Sequence, residues 1–330
     1  MASKEIFTFT GSWMLPGDNW KYFDYNTITT LARAGTMDPG IICKAHSTNT
    51  RVVLLKSIPP ADLPSPTARQ KWIADTLEEV KQNYADGINI DYENPIPKGS
   101  PMIGYMVTWM QELRAAMKKE MPNAQLSIDV AWSPDCIDVR CYDYAALAKT
   151  VDFVFVMDYD MQSQIFGPCV ALPNSPIPGV QKGMEAFLKL GIEPNNIVLG
   201  VPWYGYRYPC LNPTNDTVCP IKKVPFRGVN CSDAAGKQFP ISQILEWLAN
   251  NKTNGRQWDD KDKAPWFNLY GDDGITYQIR YDDIESLTAK YEYAKKLGLR
   301  GTGMWISEDL PLYKDPKFSE EMWKAMRVVL

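Results

Sequence analysis

The segment Asp86-Gly87-Ile88-Asn89-Ile90-Asp91-Tyr92-Glu93 places an acid or amide at every second position of an apolar run. In an extended strand alternate side chains share a face, so Asn89, Asp91 and Glu93 project together while Ile88, Ile90 and Tyr92 take the other side. Asp91 stands one strand repeat from Glu93, roughly 7 Å between α-carbons, close enough for the two carboxyl groups to meet. Like charge at that range raises a carboxyl pKa, and the two groups then titrate as a pair. A carboxylic acid still protonated near neutral pH can protonate a poor leaving group, such as a glycosidic oxygen, as its bond breaks. The same string also suits an inward polar plug in a barrel core, or the charged outer face of a surface strand. Inward polar groups are costly unless they bond one another or face a cleft. A metal cluster of Asp86, Asp91 and Glu93 is disfavoured, because alternation brings only the last two together. With a single histidine, His46, and cysteine spacings unlike any zinc motif, neither a metal nor another cofactor is expected.

The elements that must position this segment follow from the hydrophobic rhythm. Short apolar runs alternate with amphipathic helical stretches, the pattern of a parallel sheet with crossover helices. Strands are predicted near 6–9, 27–32, 52–56, 87–93, 126–132, 153–159, 197–203 and 301–305, and eight is a number that closes a barrel. Helices are predicted over 67–84, 102–117 and 284–297, the last behind an Asp-Asp start suited to a helix N-terminus. The expected fold is therefore α/β, a (β/α)8 TIM barrel forming one unit over residues 1–330. An open doubly wound sheet would want a Gly-rich phosphate turn after the first strand, and none is there. The stretch 206–281 is too long for one βα unit and is read as an α+β subdomain inserted between strands seven and eight. Glu93 then falls at the C-terminal mouth of strand four, where barrel active sites lie.

Asp86 to Glu93 resembles the D-x-x-D-x-D-x-E signature of family 18 glycoside hydrolases, the chitinase superfamily. Three further segments match that family in order: Met157-Asp158-Tyr159-Asp160, Gly200-Val201-Pro202-Trp203-Tyr204-Gly205, and Tyr281-Asp282-Asp283 followed by Gly301-Thr302-Gly303-Met304-Trp305. Within the superfamily, Val130-Ala131-Trp132-Ser133-Pro134, Val201–Tyr206 and Val224-Pro225-Phe226-Arg227-Gly228 are most similar to an exo-acting branch. The resemblance implies a retaining glycosidase of β-1,4-linked N-acetylglucosamine, in chitooligosaccharides or the chitobiose core of N-glycans. It implies substrate-assisted catalysis, an exception to the two-carboxylate scheme. Glu93 would be the acid and then the base, Asp91 would hold the substrate acetamido N–H, and Tyr159 would donate to its carbonyl. Trp305 would floor the sugar site, with Asp160, Met157, Asn89, Trp203, Trp132 and Arg280 as further substrate-binding candidates. Asn89 replaces the family's usual Asp; an amide can hydrogen-bond Asp91 but cannot share a proton with it, which predicts a less perturbed Asp91. Asp129, inward by alternation, belongs either to the Asp91 network or to a buried pair with an arginine. Two other readings stay open: a non-catalytic chitin-binding lectin on the same barrel, and an endochitinase.

Composition bounds the partners. The chain has 330 residues, 45% hydrophobic and 22% charged, enough to bury a sizeable core. A net charge of -4 without a Lys/Arg run carries no nucleic-acid footprint. No apolar stretch approaches the ~20 residues that span a bilayer. The expected partner is an N-acetylglucosamine oligosaccharide, bound by a monomer. Of the seven cysteines, Cys136/Cys141 and Cys210/Cys219 can close small loops, and the odd count leaves one thiol over, expected at Cys43. Cysteines together with sequons at Asn215, Asn230 and Asn251 favour a lysosomal or secreted protein over a cytosolic one. The start at Met1-Ala2-Ser3 lacks the pattern of a signal peptide, as expected either of a cytosolic chain or of a mature portion carrying a new Met.

Overall fold

The computed structural model describes residues 4–11, 18–213 and 215–330. The Met1-Ala2-Ser3 start therefore lies outside the described residues.

Seven parallel strands come first: β1 (Glu5–Gly11), β2 (Thr30–Ala34), β3 (Arg51–Lys56), β4 (Gly87–Ile90), β5 (Gln125–Ala131), β6 (Phe153–Met157) and β7 (Ile197–Pro202). After an excursion of antiparallel strands, β8 (Tyr204–Pro209), β9 (Lys237–Pro240), β10 (Gln257–Asp259), β11 (Ala264–Tyr270) and β12 (Thr276–Arg280), the chain returns to β13 (Gly301–Trp305). β13 pairs with both β7 and β1, which closes the eight parallel strands into a barrel. The five antiparallel strands form a second sheet in the order β10-β11-β12-β8-β9. This matches the expected (β/α)8 architecture and puts the extra sheet where the sequence rhythm breaks.

The barrel interior is aromatic and close-packed. Phe7, Phe9, Phe153 and Phe155 meet largely edge to face, with centroids 5.0 to 5.6 Å apart. Gly200 and Gly303 leave the space these rings need: a Cβ on Gly200 would lie 2.3 Å from the Phe155 ring. Outside the barrel, alternate strand residues such as Ile88, Ile90, Ile128 and Leu199 pack with the helices into one large core.

The helices begin and end where their caps dictate. In α1 (Pro39–His46), Asp38 accepts from Gly40 N. Ser65 accepts from Ala68 N at the start of α2 (Pro66–Gln82), which has Pro66 at N1. α3 (Met102–Glu120) buries Met106, Trp109, Met110, Leu113 and Met117, a single helical face. α4 (Tyr144–Ala148), α5 (Ile177–Lys189) and α6 (Ile241–Leu248) follow. α7 (Ile284–Leu297) opens on a reciprocal Asp283/Ser286 capping box and stops at Gly298, whose φ of 69° suits the left-handed cap. α8 (Pro316–Met326) closes the outer layer. Among the described residues no helix is long and apolar enough to cross a membrane.

Two predicted strands run short. β4 pairs only to Ile90 and β6 only to Met157, so Glu93 and Tyr159 lie on the loops beyond their strands. The chain bends sharply after β6, with Asp160 at a positive φ of 51°. Asp91 N still donates to Lys56 O at 2.9 Å, which carries the strand direction one residue past the end of β4.

Cys136–Cys141, Cys169–Cys231 and Cys210–Cys219 are disulfide-bonded, and Cys43 is free and exposed. The two short loops and the left-over thiol agree with the sequence reading.

Candidate active site

A cleft of about 700 Å³, including its open mouth, sits at the C-terminal end of the barrel. Asp91 and Glu93 enter it together from the end of β4, as strand alternation requires. Asp129 reaches it from β5, Met157, Tyr159 and Asp160 from the end of β6, and Trp305 from the end of β13. Trp132, just past β5, forms part of the wall.

Burial first, and the Glu93 charge second, push the Asp91 carboxyl up to about 7, with Arg140 opposing. Its Oδ1 is buried with no hydrogen-bond partner among the described residues. Asp91 is thus strongly perturbed even with an amide at position 89. Burial is the largest cause of that shift.

Glu93 is the accessible member of the pair, its side chain 54% exposed. It accepts from Arg140 Nη1 at 2.6 Å, and Arg140 Nη2 also donates to the buried Asp138 at 3.0 Å. Arg140 sits in the tight loop closed by Cys136–Cys141, where Cys136, Asp138 and Val139 all take positive φ. Arg140 is a site residue that the strand pattern missed; the close cysteine pair around it was the available signal.

Tyr159 is buried, with its ring edge-on to Tyr204, centroids 6.0 Å apart. Burial, then the neighbouring Asp129, raise its phenol well above the ordinary value, so it stays a hydroxyl donor at any working pH. Asp160 accepts from Tyr204 Oη at 2.6 Å and Tyr206 Oη at 2.8 Å. Burial raises its pKa while these two hydrogen bonds lower it. Tyr204, and Gln238 on β9, line the cleft and come from the antiparallel sheet. Gln238 arrives through its register opposite Tyr206, a pairing with no local sequence signal. Trp305 packs on Phe9 at 5.1 Å and keeps one face toward the cleft.

Three candidates fall elsewhere. Trp203 is wholly buried on the outside of the barrel, 4.8 Å from Trp323, with Nε1 donating to Tyr291 Oη at 3.4 Å. Strand parity explains this: Gly200 lies under the interior Phe155, so the odd-numbered residues of β7 and Trp203 after it turn outward. Arg280 lies in the antiparallel sheet, over the Trp266 ring at 5.3 Å, with Nε donating to Gln278 Oε1 at 2.8 Å, and does not line the cleft. Asn89 sits a layer beneath the cleft, fully buried. Its Nδ2 donates to Ser127 Oγ at 3.0 Å and Asp129 Oδ1 at 2.8 Å, and both amide hydrogens are thereby directed away from Asp91.

The arrangement can therefore protonate a leaving group from an exposed carboxyl. A buried carboxyl lies beside it, and a tyrosine hydroxyl and an indole face enclose a small polar ligand.

Comparison with known proteins is consistent with this chemistry. The model of the glycosyl hydrolases family 18 matches residues 60–309. The di-N-acetylchitobiase of Mus musculus is 42% identical over 311 residues, covering 93% of this chain and 85% of that protein. The probable di-N-acetylchitobiase 2 of Dictyostelium discoideum is 39% identical over 314 residues, 92% of this chain and 81% of that protein. Among solved structures, the Ostrinia furnacalis Group IV chitinase in complex with allosamidin superposes with a TM-score of 0.80 at 20% identity, covering 99% and 98% of the two chains. At that identity the likeness speaks for the fold alone.

Proposed function

The chain belongs to family 18 of the glycosyl hydrolases, and from that premise we propose that it hydrolyses β-1,4-linked N-acetylglucosamine pairs, acting from a chain end with retention of configuration. The single observation that carries this reading is the entry of Asp91 and Glu93 together into the barrel mouth, facing Tyr159 and Trp305. Glu93, the accessible carboxyl, protonates the glycosidic oxygen. The substrate's own acetamido carbonyl attacks C1 and displaces the leaving sugar, giving an oxazolinium ion. An attacking group already held in the substrate gains from proximity.

Asp91, enclosed below Glu93, accepts the acetamido N–H and offsets the positive charge as it builds. Tyr159 donates to the acetamido oxygen, which places that oxygen beneath C1. Trp305 presents the apolar floor for the sugar ring, and Asp160, held by two tyrosine hydroxyls, accepts from its polar groups. Glu93 then takes a proton from the water that opens the oxazolinium ring.

We read residues 206–281 as a subdomain that walls one side of this single catalytic barrel. The chain acts as a monomer in an oxidising, acidic compartment, lysosomal or secreted, in keeping with its three disulfides.

The test is release of N-acetylglucosamine from chitotriose by wild type and Glu93→Gln. Loss of the acid should lower kcat by about 10²- to 10⁴-fold. Equal rates would remove the assignment, and binding of chitotriose without turnover by wild type would favour a lectin. With an oligosaccharide labelled at its reducing end, single-residue loss supports exo action and a ladder of products points to an endochitinase.

A further inference from the structure

Asp129 has no role in the chemistry just described, yet it is placed as if it had one. It is 3% exposed, on β5, and lines the same cleft as Asp91 and Glu93. β4 and β5 run parallel with Asn89 opposite Ser127, and this register sets the Asn89 amide against Asp129, one strand repeat further along. Both amide hydrogens of Asn89 are used, on Ser127 and Asp129, so one Asp129 oxygen is pinned.

The groups facing Asp129 can be counted by element. Asp91 and Glu93 come from the end of β4, Arg140 from the loop after β5, Tyr159 and Asp160 from the end of β6, and Tyr204 from β8. Among the described residues Arg140 is the one cation lining the cleft, and it is already divided between Glu93 and Asp138. Four carboxyls therefore share a cleft with one arginine that two carboxylates already occupy. Ionising them all at once would leave several like charges in a site closed to solvent on its inner side, which is strongly unfavourable. A proton must stay among the inner carboxyls, and Asp91 and Asp129 are two of them.

We propose that Asp129 is a positioning residue of the reaction, the carboxyl that exchanges a proton with Asp91 so that Asp91 can be neutral at rest and anionic beneath the developing oxazolinium ion. This rests on the reading of Asp91 and Glu93 given above. The transfer balances simply: the O–H bond of Asp91 breaks, an O–H bond forms on Asp129, and the proton returns when the oxazolinium ring has opened. No oxidant or added reactant enters. Burial raises the Asp129 carboxyl well above the usual range, with the Asp91 charge next, so Asp129 is a suitable place for the proton to wait. Asn89 cannot do this, because an amide holds no exchangeable acid proton in the working range. Its service is to fix Asp129 in place.

The test exploits the Asn89–Asp129 hydrogen bond, which survives a swap of the two residues with its polarity reversed. Chitotriose hydrolysis and its pH profile are measured for D129N, for the swapped double variant N89D/D129N, and for E93Q as a control. D129N should lower kcat by about 10²-fold with KM changed little, and should move the ionisation limb that the Asp91–Asp129 pair contributes to kcat. N89D/D129N, which restores a carboxyl on the other side of the same bond, should recover at least tenfold of that loss and return the limb toward wild type. Thermal melting of each variant separates these effects from loss of fold.

The proposal is overturned if D129N keeps the wild-type kcat and pH profile. It is equally overturned if the swapped variant melts like wild type but turns over no faster than D129N, or if D129N fails to fold and the folded swapped variant shows the wild-type limb with no rate recovered. Full activity in E93Q would instead strike down the underlying reading of the site, whatever Asp129 does.

Discussion

At the scale of the residue, the site is governed by how few cations it contains. Arg140 holds an exposed carboxyl, Glu93, with one nitrogen and a buried one, Asp138, with the other. Asp138 also accepts from Ser163 Oγ at 2.8 Å, so it retains one partner if the arginine is lost. Arg140→Met should still strand a buried carboxylate, at a cost near the lower end of the range for a broken buried pair, about 3 kcal/mol. Urea unfolding of the variant checks this, and an unchanged midpoint would mean the pair contributes nothing net. Arg140→Lys keeps the charge but cannot make both contacts, because a lysine lacks the planar fork of donors. It should fall between wild type and the methionine variant in stability, and its kcat should fall as the Glu93 carboxyl loses its orientation.

At the scale of the element, the cleft is built by two kinds of structure. The parallel barrel fixes the carboxyls, and the antiparallel sheet brings Tyr204 and Gln238 against them. The joint between the two is a disulfide. Cys169, on the connection from β6 to α5, is bonded to Cys231, between β8 and β9, across 62 residues. Backbone bonds run alongside it, with Ile165 N donating to Cys231 O at 2.9 Å and Ala171 N to Cys219 O at 2.9 Å. Closing a loop of that length restricts the unfolded chain by about 4 kcal/mol in the chain-entropy account. Cys169→Ser/Cys231→Ser should lower the unfolding free energy by up to that amount, read by chemical denaturation under non-reducing conditions. The short Cys136–Cys141 loop gains less from chain entropy, and its service is to hold the Arg140 segment in its left-handed turn.

At the scale of the whole molecule, the carboxyls set a pH dependence of stability. Asp91, Asp233 and Glu308 are each pushed up to about 7, in every case by burial first. Asp158 and Asp309 are raised well above their usual range for the same reason, and neither oxygen of Asp158 has a partner among the described residues. In the unfolded chain these groups titrate near 4. Between about pH 4 and pH 7 the folded protein therefore binds more protons than the unfolded one, so stability falls as pH rises. The stability these groups confer is fully present below pH 4 and is lost as pH climbs through 7. The melting temperature should be higher at pH 5 than at pH 8; a protein that melts later at pH 8 would contradict this account. The direction suits the acidic compartment proposed above.

Periodicity and alternation alone carried the reading of the chain a long way. The eight barrel strands, the helix over Ile284–Leu297 and the shared face of Asp91 and Glu93 are consequences of local pattern, because the pleat and the helical turn repeat within a few residues. That one thiol is left over was also legible, from counting, and its assignment to Cys43 came from its place beside the apolar Ile41-Ile42 pair. Only the folded chain decided the rest. Trp203 faces out of the barrel and Arg280 into its own sheet, because parity at a strand end and antiparallel register depend on which strands become neighbours. The size of the Asp91 shift was out of reach of the sequence for a similar reason: desolvation is a property of everything packed around a group, most of it distant in sequence. Arg140 reached Glu93, and Asn89 reached Asp129, across gaps of 47 and 40 residues. Composition and spacing supplied the reactive groups and the strands that aim them, while long-range packing chose which charges meet, since electrostatic energy depends on distance in space and not along the chain.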